Sequence, residues 1–162
     1  MDTAPLRDAY RALLDAAATV AESGETTAPP AGEWNADQIL AHVTILTATT
    51  ISAASRVASG EHTTYDNRIS QDTCTIDRVI ARAGGNAGLR ERIRVQGDAL
   101  CAFGGPALSD AELDTLVPTL LQSHNEVLVD QPLPLRDLIM GLADAELPGH
   151  TKQLLALLSS TA

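Results

Sequence analysis

A chain of 162 residues can hold one domain with a sizeable core, and 44% hydrophobic residues make it globular and not disordered. Aromatics are only 2%, so the core has to be built from Leu, Ile, Val and Ala, and abundant alanine favours helices. A formal net charge of -10 repels phosphate backbones and anionic lipid surfaces, which disfavours nucleic acid and membranes as partners.

Helix one is predicted from residue 5 to about 22, with Thr3 as N-cap and Pro5 in the first turn. Leu6, Tyr10, Leu13, Ala17 and Val20 form its apolar stripe. The Gly-, Pro- and Thr-rich stretch 23–34 reads as a loop. Helix two starts after Asn35 and runs to about 59, and His42 shares the inward face of Ile39, Leu46, Ala53 and Val57. Residues 60–68 are polar and read as loop. A short helix over 72–84 ends at Gly84 and Gly85. Asn86 caps the next, whose stripe is Leu89, Ile93, Gln96, Leu100 and Phe103. Ser109 and Glu112 have the spacing of a capping box. Residues 116–133 then read as a hairpin turning at 123–126, with Pro118 and Pro132 at edge positions. The last helix runs from about 134 to 159, with Leu135, Ile139, Leu142, Glu146, His150, Gln153 and Leu157 on one face. The simplest architecture is all-α: an antiparallel four-helix bundle with a short extra helix and a minor hairpin, as one domain over 1–162.

Cys74 and Cys101 lack the C-x-x-C spacing and any nearby basic cluster, so they are expected as small core residues. No signal-peptide pattern opens the chain and no apolar run reaches the length of a membrane span, which makes a cytoplasmic location the expectation. His62 and His124 fall in polar loop and turn contexts and are expected to be solvated. Trp34, just before the Asn35 cap, is expected to pack as a hydrophobic staple.

Two residues of the last helix break its apolar stripe. Glu146 and His150 are four apart and point the same way on a helix, although Pro148 and Gly149 lie between them. A carboxylate facing a bundle interior needs a partner. With His42 from helix two they would make a facial three-ligand set for a divalent metal, and two neutral imidazoles with one carboxylate suit such a cation. The same spacing also fits an ordinary hydrogen-bonded core histidine, with Glu146 paired to His150 in its charged form, to an arginine, or to solvent at a bundle end.

These residues also carry a family resemblance. The stretch "EWNADQILAHV" resembles the Trp-x(7)-His signature on the second helix of the DinB-like superfamily. "ELPGHTKQLLAL" is similar to that family's last-helix signature, His/Glu-x-x-x-His followed closely by Gln-[Leu/Ile]. The resemblance implies a four-helix bundle with a divalent metal, zinc or nickel, held here by His42, Glu146 and His150. Glu at the middle position is similar to the mycothiol-dependent maleylpyruvate isomerase branch. Related members are thiol S-transferases that use bacillithiol or mycothiol, and a homodimer is in keeping with the family. The isomerase carries a further C-terminal domain, whereas this chain ends at Ala162 directly after the bundle, so a thiol S-transferase or related transferase acting on a small molecule is the expected activity. Pro148 between the two last-helix ligands is a departure from the family pattern. The other reading is a metal-poor binding or structural bundle.

Overall fold

The computed structural model describes residues 1–24, 29, 31–124 and 126–158, and most of that length is helical. Helix α1 (Ala4–Ser23) follows the expected stripe, with Leu6, Tyr10, Leu13, Ala17 and Val20 all buried. Its N-terminus is capped differently from the expectation: the Asp2 carboxylate accepts from the Ala4 N–H at 2.9 Å, and the Thr3 side chain makes no capping bond. Most of the expected loop 23–34 (residues 25–28 and 30) falls outside the described residues.

Helix α2 (Ala36–Ala58) starts at a reciprocal capping box. The Asn35 side chain accepts from the Gln38 N–H, and the Gln38 side chain accepts from the Asn35 N–H, each at 3.0 Å. Caps of this kind contribute about 1 kcal/mol. The helix is not merely amphipathic. Residues 39–47 are buried without interruption, so this is the central rod against which other helices pack. Its hydroxyls are satisfied locally or by tyrosines: Thr44 and Thr50 donate to the carbonyls of Leu40 and Leu46, and Thr47 meets the Tyr10 hydroxyl at 2.8 Å.

The expected polar loop after α2 contains a two-residue strand, β1 (Tyr65–Asp66), which pairs in parallel with β2 (Leu116–Ser123). Its pairing partners lie 54 residues on, Tyr65 against Thr119 and Asp66 against Leu120, so no local pattern marks it. A 3-10 turn (Arg68–Gln71) leads into α3 (Thr73–Ala83), which ends at Gly84 in the left-handed conformation that glycine adopts without strain. Asn86 is the first residue of α4 (Asn86–Ala102), and Gly85 holds the cap position expected of Asn86. Gly97 of α4 lets the Tyr10 ring of α1 approach, since a Cβ there would stand 3.0 Å from it. Leu89, Ile93 and Leu100 of the α4 stripe are buried, while Gln96 and Phe103 are only partly so. Cys101 joins the core as expected, but Cys74 is exposed, because α3 buries only Ile76.

After a π-helical turn (Phe103–Ala107), α5 (Asp110–Leu113) carries the expected Ser109–Glu112 capping box. The hairpin is present as β2 and β3 (Glu126–Pro134), in a three-stranded sheet of order β1-β2-β3. Pro118 and Pro132 face each other across the ladder, and the register shifts between Leu121 and Gln122.

The last helical segment differs most from its expected form. It is α6 (Leu135–Gly141), a π-helical turn (Leu142–Glu146), and α7 (Leu147–Ala156). It ends at Ala156, short of the expected end near 159, with Leu157 as its C-cap. Among the described residues no helix is long and apolar enough to cross a membrane.

Candidate metal centre

The π-turn explains how Glu146, Pro148 and His150 coexist. In it the Leu147 N–H bonds to the Leu142 carbonyl, five residues back, which inserts one extra residue into the helical stripe. Before the turn the buried positions are Leu135, Leu138 and Ile139, within it Leu142 and Ala143, and after it Leu147, His150, Leu154 and Leu157. Leu147 takes the core position that uninterrupted α-helix would assign to Glu146. The expectation of a buried Glu146 is therefore corrected: its side chain is 43% exposed and stands at the rim of a cleft. Gln153, also assigned inward, is exposed, with Leu154 in its place. Pro148 falls in the first turn of α7, where a proline is tolerated because its missing N–H has no α-helical partner.

The cleft has a volume of about 400 Å³ and opens beside His42, Glu146 and His150. One ligand atom from each of these three side chains lies within 4.8 Å of the others, so the group could hold a metal ion. His42 is buried on α2 and donates from Nδ1 to the Ser70 carbonyl at 2.7 Å. A carbonyl can only accept, so this bond places the proton on Nδ1 and leaves Nε2 bare in the neutral ring. His150 Nδ1 meets Gln153 Oε1 at 2.7 Å, one turn further along α7. Its Nε2 is buried and has no hydrogen-bond partner, with Glu146 Oε2 beyond it at 3.5 Å. The two rings meet edge to face with centroids 4.7 Å apart, and Trp34 packs on the outer side of His42 at the same separation.

Electrostatics agree with this geometry. Burial, followed by repulsion from His150, lowers the His42 pKa to about 4, so the ring is neutral at neutral pH. The Glu146 carboxyl is held below its ordinary range, first by the neighbouring His150 side chain at 3.5 Å and despite partial burial. In the neutral tautomers set by Ser70 and Gln153, three acceptors converge with no donor between them. A divalent cation relieves that arrangement. Imidazoles whose second nitrogen is committed to a carbonyl or amide oxygen are the usual form of histidine at metal sites. The residues present therefore fit a divalent cation.

The other residues of interest have separate fates. His62 is exposed and far from this group, lining a second hollow near the end of α2. His124 is exposed, as expected, yet it lines the cleft from the hairpin turn with a φ of 51°. Leu128, on β3 opposite the register shift, lines the cleft as well. The polar character of the turn concealed both, since nothing local says that a hairpin tip folds over a helix pair. Trp34 does pack, as expected of a staple residue, but it also forms a wall of the cleft. Gln153 was legible from its i,i+3 spacing to His150. Comparison with protein-family models, curated proteins and solved structures returns no match for this chain.

Proposed function

We propose that this chain is a divalent-metal-dependent enzyme built on a DinB-like four-helix bundle, with His42, Glu146 and His150 as the metal ligands. Its activity is transfer of a low-molecular-weight thiol such as mycothiol to a small-molecule electrophile, or a related transfer. The observation that carries the reading is the convergence of these three side chains on one point, with both Nδ1 atoms bonded elsewhere and His150 Nε2 buried without a partner.

Held by His42, Glu146 and His150, a divalent metal would lower the pKa of a thiol sulfur beside it and so favour the thiolate. The Ser70 carbonyl and the Gln153 amide orient the two imidazoles. Trp34 and Leu128 supply apolar surface to the cleft, and Gln71, Gln122 and Gln153 supply amide groups that suit a polar, uncharged ligand. Among the described residues no lysine or arginine lines the cleft, so a polyanionic substrate is disfavoured.

The test is metal content after purification without a histidine tag, followed by reconstitution with zinc or nickel. Near-stoichiometric metal that disappears in His42→Ala, with thiol conjugation that depends on it, is the expected result. No uptake of either metal on reconstitution would instead favour a metal-poor binding or structural bundle, in which Glu146 and His150 form a polar pair at the cleft.

A further inference from the structure

The bond from His42 Nδ1 to Ser70 orients the ring only if Ser70 is itself held in place. Asn67 stands where the chain leaves β1 for the 3-10 turn, and it is 6% exposed. Its backbone N–H donates to the Leu120 carbonyl at 3.3 Å. Its side-chain amide then does what the next peptide of a strand would do. Nδ2 donates to the Gln122 carbonyl at 2.9 Å, and Oδ1 accepts from the Gln122 N–H at 2.8 Å. The Asn67 carbonyl accepts twice from Ser70, from its N–H at 3.0 Å and its hydroxyl at 2.6 Å, which closes the turn that presents the Ser70 carbonyl to His42. Gln71, at the end of the same turn, donates to the Gln122 carbonyl at 2.5 Å.

Gln122 lies at the register shift between β2 and β3, where regular pairing lapses and the strand needs anchors from elsewhere. One asparagine thus connects the bulged hairpin to the turn that holds a histidine of the cleft.

We infer that Asn67 is a positioning residue for the candidate metal centre: its amide clamps Gln122 and closes the turn that keeps the Ser70 carbonyl on His42 Nδ1, so that Nε2 stays bare and faces Glu146 and His150. The functional meaning rests on the reading of the cleft as a metal centre, but the link from Asn67 to His42 operates in the metal-free protein. Only an asparagine presents both a donor and an acceptor at this reach. Aspartate keeps the acceptor and loses the donor, and alanine loses both.

The test uses metal-free, full-length protein labelled with 15N-histidine, read at neutral pH by two-bond proton–nitrogen correlation, which reports which ring nitrogen carries the proton. The wild type is expected to show His42 as the single Nδ1–H tautomer. Asn67→Ala is expected to give a mixture with the Nε2–H form and to weaken zinc binding by about 10- to 100-fold, the range typical when a partner of a ligand is lost. Asn67→Asp should fall between the two, and it decides the matter if the alanine variant does not fold. Zinc affinity in the His42→Ala background should change by less than about 2-fold when Asn67→Ala is added, because the coupling runs through His42. A wild-type tautomer in every folded Asn67 variant, or an equal loss of zinc affinity with and without His42, overturns the inference. If the wild type takes up no zinc, the metal reading falls, and the tautomer readout alone decides the role of Asn67.

Discussion

Two hollows lie toward opposite ends of α2, and they draw on similar residue types. One, of about 400 Å³, holds His42, Glu146 and His150. The other, of about 290 Å³, is lined by Arg56, Glu61, His62 and several threonines. In the second, Glu61 faces Arg56 at 3.7 Å with both side chains more than half exposed, and His62 is exposed too. Its charges are met by each other and by water, and such a pair contributes little. In the first, His42 and His150 are buried, their outer nitrogens are committed, and among the described residues no lysine or arginine lines the space. Histidines and a glutamate become a candidate ligand set where the imidazoles are buried, their second nitrogens are committed and the remaining acceptors converge.

Removing a candidate ligand tests that contrast most directly. His42→Ala is expected to weaken zinc or nickel binding by more than the ~100-fold that loss of an outer partner can cause, while His62→Ala leaves it unchanged. Titration against a competing chromophoric chelator measures both, and equal effects would erase the distinction between the hollows.

Acid should act on the first hollow through His42. The unfolded chain takes up a proton there below its ordinary pKa of 6.5, and the folded chain does so only near 4. Metal-free stability therefore rises with pH across that window, is fully present above 6.5, and is lost by about pH 4. The size is about 3 kcal/mol for this group. Glu146 acts in the same direction, since a carboxyl with a lowered pKa stabilises above its unfolded value and loses that contribution as pH falls through the folded one. Urea unfolding of wild type and His42→Phe from pH 7 to pH 4 isolates the histidine. Parallel pH profiles for the two proteins would contradict the assignment.

Glu146→Gln keeps the size of the side chain and removes its charge. Zinc affinity should fall about 10-fold, with a melting temperature close to wild type, because this residue stands at the rim and not in the core. A large loss of stability would mean that Glu146 is structural. The smallest effect belongs to the second hollow: Arg56→Ala should cost under about 1 kcal/mol by chemical denaturation and leave metal binding as it is.

Much of the candidate site was legible in the sequence. His42, Glu146 and His150 stand out because each interrupts an apolar run, and helical spacing alone pairs the last two. The degree of burial was not legible for Glu146. Periodicity assumes a constant 3.6 residues per turn, and the π-turn at Leu142–Glu146 adds a residue that no residue type announces. Asn67 was hidden in a polar stretch for a related reason, since its partner Gln122 is fifty-five residues away.

The sequence by itself determined where helices begin and which residues face inward over most of them. These properties follow from neighbours within a few positions: the Asn35–Gln38 and Ser109–Glu112 boxes, the Gly84 stop, and the stripe of α1. It also determined that the hairpin turns near residue 124, between two runs of branched and proline-bearing strand. Only the tertiary structure decided that β1 joins that hairpin, that the hairpin tip brings His124 and Leu128 to the cleft, and that Ser70 takes the proton-bearing nitrogen of His42. These contacts join segments far apart in the chain. Their free energy comes from burial and hydrogen bonding that exist only once the helices have packed, and no local pattern encodes which distant partner will be there.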